Sequence, residues 1–148
     1  MDKITTQTSI VSPSPAHSTP ERGRPLLLCP VQAGFPSPAE DYIETTLDLH
    51  RHIVRNPPAT FFVHASGDSM TGAGIFDGDI LVVDRSLVPV SGRVVIAALE
   101  GELTVKRLVK RKGETLLVPE NSGFDPIDIT NHEDIIIWGV VTYVLHSL

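Results

Sequence analysis

From Thr60 onward the chain alternates between short apolar runs rich in Val, Ile and Phe and brief polar breaks. The runs are Thr60–Ala65, Asp79–Asp84, Arg93–Leu99, Glu102–Lys110, Glu114–Pro119 and Asp134–Leu145, separated by Gly, Asp, Asn and Pro. Branched and aromatic side chains at this spacing predict a mostly β, antiparallel domain. Glu100-Gly101 joins the third run to the fourth, and Lys112-Gly113 joins the fourth to the fifth. Two-residue links ending in glycine predict tight hairpins at both places. Upstream the pattern changes to helix signals. Ser37-Pro38-Ala39-Glu40 combines a cap, a first-turn proline and a capping-box glutamate, which predicts a short helix starting at Pro38. Asp48 caps a second short helix with Leu49 and Ile53 on one face, stopped by Asn56-Pro57-Pro58. Before Val31 lie Pro13, Pro15, Pro20, Pro25 and Pro30, with a Thr/Ser-rich stretch that follows neither period. That composition predicts a flexible N-terminal arm. The sequence holds no internal repeat.

Length and charge narrow this picture. A chain of 148 residues has room for one ordinary domain, and 41% hydrophobic with 20% charged residues is a globular balance. A net charge of −6 opposes a role in gripping nucleic acid, because phosphate neutralisation needs clustered Lys and Arg. Direct sequence-specific DNA binding is therefore not expected. The longest apolar run, Ile135 to Leu145, falls far short of the ~20 residues of a membrane helix, and Leu26–Leu28 is too short for a signal-peptide core. The single cysteine, Cys29, permits no internal disulfide. A cytoplasmic, membrane-free protein is expected.

The segment Ala65-Ser66-Gly67-Asp68-Ser69-Met70 leaves a predicted strand and enters the glycine-rich stretch Thr71-Gly72-Ala73-Gly74. A hydroxyl at a strand end is well placed to be a nucleophile, provided that a base removes its proton. Histidine partners are unpersuasive: Thr71 stands where a Gly-x-Ser-x-Gly elbow needs glycine, and the downstream Asp-x-x-His of the GDSL hydrolases is missing. A lysine is the remaining base. In the run Leu103 to Lys110 a period of two sets Thr104, Lys106, Leu108 and Lys110 on one face, opposite Leu103, Val105, Arg107 and Val109. If the Lys106 face is covered, desolvation disfavours its ammonium, and a neutral amine can deprotonate a serine. The competing reading is a solvated, charged hairpin edge.

Other features have plainer readings. Ser66 reads as a turn oxygen, and Asp68, Asp77 and Asp79, each beside a glycine, as carboxylates bonded to nearby backbone. His50, His52 and His64 lack the companions of a zinc site, so no metal is expected. Gly72 and Gly74 lack the Gly-Lys-Ser/Thr of a phosphate loop. Trp138 and Phe61 read as core aromatics, and Cys29 as an arm residue. Lys106, Arg107, Lys110, Arg111 and Lys112 form the one basic cluster, read first as a solvated hairpin and second as a contact for a partner or nucleic acid.

Ala33-Gly34, Ser66-Gly67-Asp68-Ser69-Met70, Asp77-Gly78-Asp79 and Glu102-Leu103-Thr104-Val105-Lys106-Arg107, taken in order, resemble the LexA/UmuD family of self-cleaving serine–lysine peptidases. The separation of 37 positions between Ser69 and Lys106 is similar to that family's. Phe35-Pro36-Ser37-Pro38-Ala39 and Pro119-Glu120-Asn121-Ser122 make its UmuD branch the nearest likeness, over about residues 31–148. The resemblance implies a family-type peptidase domain at 34–148, preceded by an arm, 1–33, that is removed by self-cleavage. It implies Ser69 as nucleophile, Lys106 as general base and Ala33–Gly34 as the scissile bond. The backbone N–H groups of Ser69 and Met70 are the expected oxyanion hole. No cofactor is implied. The implied partners are a second copy in a homodimer, a RecA–single-stranded-DNA filament as co-protease, and a UmuC-like Y-family translesion polymerase served during SOS mutagenesis. Some relatives carry Cys where this chain has Ala33. Three other readings fit less well. A LexA-type repressor needs a helix-turn-helix before the cut, where this sequence has a Pro/Ser/Thr arm. A signal peptidase needs a membrane anchor. A polymerase-binding module with a vestigial dyad is opposed by intact Ser69 and Lys106.

Overall fold

The computed structural model describes residues 22–28, 30–35 and 44–148. The expected helix at Pro38, Cys29 and the arm before residue 22 lie outside these residues. The chain divides into two units after Leu49.

In the first unit, β1 (Arg24–Leu27) pairs antiparallel with β2 (Glu44–Leu47), in a register that sets Arg24 opposite Leu47 and Leu27 opposite Glu44. The sequence pattern assigned neither strand. Pro25, which has no N–H to donate, is tolerated because the ribbon has only two strands and both are edges. The pairing joins residues on either side of Ala33–Gly34.

In the remainder, helix α1 (Leu49–Ile53) occupies the segment expected after Asp48, and the chain turns through a 3-10 turn at Pro57–Ala59. Five strands then fall within a residue or two of the predicted runs: β3 (Thr60–His64), β4 (Ile80–Asp84), β5 (Val94–Leu99), β6 (Glu102–Arg111) and β7 (Glu114–Val118). A two-residue strand β8 (Ile127–Asp128) precedes β9 (Ile136–Leu145). They form one antiparallel sheet in the order β3-β4-β9-β5-β6-β7-β8. Both predicted hairpins are present. Glu100 and Gly101 have φ of 49° and 82°, and Lys112 and Gly113 have 47° and 79°, the positive pair that matches a tight hairpin to the strand twist.

The sheet is covered on both faces at its centre. Val95 and Ala97 of β5 pack with Leu108, Leu117 and Val140, while Ile96 between them packs with Met70, Leu81 and Val83. Successive strand residues point to opposite sides, so a strand buried on both faces must be apolar throughout. This accounts for the unbroken run Val94–Leu99. Central β9 contacts β4 and β5 with one register shift on each side, between Val82 and Val83 and between Ile96 and Ala97. Phe61 departs from its expected core position. It is 43% exposed and tilts against half-buried Trp138, with ring centroids 5.4 Å apart. The Arg85 guanidinium lies 4.6 Å from the Trp138 centroid, giving an aromatic–cation stack at the surface.

Candidate active site

Beyond β3 the backbone leaves the sheet, and the Asp77-Gly78-Asp79 turn secures it. The Ala65 N–H donates to Asp79 O at 2.8 Å, and the Gly78 N–H donates to Ala65 O at 2.9 Å. Gly67 adopts φ +87°, a left-handed conformation suited to glycine, and its N–H donates to Asp77 Oδ1 at 2.7 Å. Asp79 Oδ2 accepts the Phe76 N–H at 2.8 Å. The local-bonding reading holds for Asp77 and is incomplete for Asp79, whose Oδ1 also lies 2.6 Å from His146 Nδ1. That hydrogen bond, followed by the one from Phe76, holds the Asp79 carboxyl below its ordinary pKa. Met70, 2% exposed, anchors the next stretch in the core beside Ala65, Ile75 and Leu81. Half-buried Ser69 is therefore carried on a backbone whose next residue is fixed. Its side chain lines a cleft of about 460 Å³ walled by Val63, Leu81, Ile96, Leu103 and Phe124.

Lys106 lies on β6 opposite Val95, which is wholly buried, and is itself 8% exposed. Leu108, on the same face, is also buried. The Lys106 face is thus covered, and the solvated-edge reading applies only farther along the hairpin. Lys110, Arg111 and Lys112 are exposed, whereas half-buried Arg107 pairs with Glu120 through Nε and donates from Nη1 to Gly92 O at 2.6 Å. The expected basic cluster is in this way divided.

Lys106 Nζ has three oxygen neighbours: Ser69 Oγ at 3.0 Å, Thr104 Oγ1 at 3.1 Å and Val105 O at 3.0 Å. Burial pushes its pKa below the ordinary 10.5, because removing water penalises the ammonium. A neutral amine has two N–H donors and one lone pair. Val105 O only accepts, and Thr104 Oγ1 can accept, so spending both donors there leaves the lone pair directed at the Ser69 hydroxyl. An amine so placed is within reach of the proton on the Ser69 hydroxyl. Thr104 is a neighbour that the sequence reading placed on the correct face without a role.

Among the described residues, the Ser69 and Met70 N–H groups donate to no protein acceptor, while the Ser69 carbonyl accepts from the Glu120 N–H at 2.8 Å. Ser66 and His64 line the same cleft. His52 instead lies against Tyr143, with ring centroids 6.1 Å apart. Among the described residues, no three His, Cys, Asp or Glu side chains converge on a metal position, and no helix is long and apolar enough to cross a membrane. Ala33 and Gly34 belong to the first unit, where both are exposed on the connection between β1 and β2.

The family described as Peptidase S24-like matches residues 25–142. Protein ImpA of Salmonella typhimurium is 49% identical over 124 residues, which is 83% of each chain. Protein MucA of Escherichia coli is 47% identical over 122 residues, 82% of this chain and 83% of that one. The LexA repressor of Hahella chejuensis is 38% identical over 115 residues, 78% of this chain but 56% of the repressor.

Proposed function

The chain belongs to the Peptidase S24-like family, and from that premise we propose that it is a UmuD-like precursor that cuts its own chain between Ala33 and Gly34. Ser69 Oγ attacks the Ala33 carbonyl carbon while neutral Lys106 accepts the hydroxyl proton. The negative charge on the former carbonyl oxygen is met by the Ser69 and Met70 N–H groups. The C–N bond then breaks, Lys106 returns the proton to the Gly34 amine, and an acyl group remains on Ser69. Water, deprotonated by the Lys106 amine, attacks that ester, and the lysine returns the proton to Ser69 Oγ as the acid departs. Residues 1–33 leave, and 34–148 is the mature protein.

The observation that carries this reading is the 3.0 Å contact between Ser69 Oγ and the amine of Lys106, a residue 8% exposed. The small residues at the cut suit a narrow cleft. Because the substrate is tethered, a modest catalyst suffices for one turnover. In this reading the mature product is a homodimer in the bacterial cytoplasm. A RecA–single-stranded-DNA filament triggers the cut, and a UmuC-like Y-family translesion polymerase receives the product during SOS mutagenesis.

The test is incubation of the purified protein with RecA, an ATP analogue and single-stranded DNA, followed by mass spectrometry of the product. A new N-terminus at Gly34 that vanishes in Ser69→Ala is the expected result. A different terminus, or cutting that survives in Ser69→Ala, overturns the mechanism.

A further inference from the structure

We infer that Glu120 and Asn121, with Arg107 behind them, are positioning residues that hold Ser69 at attack distance from Lys106. The inference rests on the serine–lysine reading above and deepens it.

The segment 66–74 lies outside the sheet, with regular backbone only in a 3-10 turn at Thr71–Ala73, and several of its polar groups are satisfied from one place. The Glu120 N–H donates to Ser69 O at 2.8 Å, and Glu120 O accepts the Gly72 N–H at 2.7 Å. These two bonds bracket Ser69, Met70 and Thr71. Asn121 Nδ2 donates to Asp68 O at 2.9 Å, and Asn121 Oδ1 accepts the Gly123 N–H at 3.0 Å, which fixes the orientation of the amide. The residues before and after the serine are thus held by a single dipeptide.

That dipeptide is itself tied to the base. The Glu120 carboxylate is bound by Arg107, which is covalently next to Lys106 and is anchored in turn on Gly92 O. A closed path runs from Lys106 through Arg107 and Glu120 to Ser69, and it meets the direct contact between Nζ and Oγ. Arg107 and Glu120 are each about one third exposed, so their ion pair contributes little to stability while fixing a direction. The clasp also tolerates no bulk. A Cβ on Gly72 would stand 2.5 Å from Glu120 O, a clash with backbone that cannot swing aside. Displacing a reacting atom by about 1 Å can cost on the order of a hundredfold in rate, so a linkage of this kind controls rate more than fold.

The experiment measures spontaneous self-cleavage of the full chain across neutral to alkaline pH for wild type, Asn121→Ala, Glu120→Ala and Glu120→Gln, with thermal melting as the check on folding. Asn121→Ala is expected to lower the high-pH plateau at least tenfold while leaving the pH midpoint, which reports the lysine, where it was. Glu120→Gln keeps an oxygen for Arg107 and is expected to recover most of the rate lost in Glu120→Ala. Wild-type plateaus in the folded variants overturn the inference. So does a loss in Asn121→Ala that arrives with a shifted midpoint, or an equal loss in Glu120→Gln and Glu120→Ala. If Glu120→Ala fails to fold, Asn121→Ala, on a half-exposed loop residue, decides alone. Ser69→Ala separates the two levels: cutting that persists there defeats the serine–lysine reading. Cutting abolished there but undiminished in the Asn121 and Glu120 variants defeats only the positioning role.

Discussion

Lys106 combines a group that water solvates strongly with a site that water hardly reaches. Its lowered pKa has two measurable signs. Self-cleavage should accelerate as pH rises through that pKa, since only the amine has a lone pair to offer, and a flat profile from neutral to alkaline pH would remove Lys106 from the role of base. Stability should follow the same titration. A lysine whose folded pKa lies below its unfolded value binds fewer protons in the native state, so stability rises with pH over the interval between the two. In a Ser69→Ala background, chemical denaturation should show the Lys106→Met variant losing its advantage over the lysine form as pH climbs from the lowered pKa toward 10.5. A difference that is constant with pH would mean that the amine is solvated. The grouping of Lys106 with Leu108 was legible from the period of two, whereas the covering of their face, which depends on strands distant in sequence, was not. The neighbours of Lys106 were legible only in part. Thr104 is two residues away and readable in principle, but Asn121 reaches Asp68 across 53 positions, and no local pattern encodes that contact.

At the level of strands and turns, local chemistry was a good guide where it was sufficient by itself. Glu100-Gly101 and Lys112-Gly113 need only their own backbone preferences to turn the chain, and long branched runs such as Val94–Leu99 extend under most circumstances. The strands that escaped notice, β1, β2 and β8, are four, four and two residues long and exist only because a partner lies alongside. Phe61 escaped for a related reason: an aromatic in an edge strand is placed by its neighbours, here Trp138 and Arg85. Gly139 in β9 tests how tightly the sheet centre is packed. An added Cβ would lie 2.6 Å from Val83 Cγ1, beside the register shift that separates Val82 from Val83. Gly139→Ala should therefore cost about 1–3 kcal/mol in urea denaturation, the usual range for overpacking a filled core. A cost near zero would show that the bulged pairing yields.

For the molecule as a whole, an acidic total of −6 conceals a deliberate distribution of its cations. Lys106 is buried and Arg107 is engaged by Glu120, which leaves Lys110, Arg111 and Lys112 at the hairpin tip in solvent. The strand pairing of the first unit also governs the fate of the two fragments once the proposed cut is made. Ala33–Gly34 lies on the connection between β1 and β2, so β1 would end up on one fragment and β2 on the other. An intact connection keeps those strands at high effective concentration, and severing it makes their pairing bimolecular. Two strands of four residues are marginal even when joined. Size-exclusion chromatography straight after complete cleavage should separate the 33-residue peptide from the larger product, and co-elution at micromolar concentration would contradict this. Under the proposed cut the ribbon would act as a ratchet: one broken peptide bond would abolish the tether that lets the two strands re-pair, and the separated pieces would have no return path.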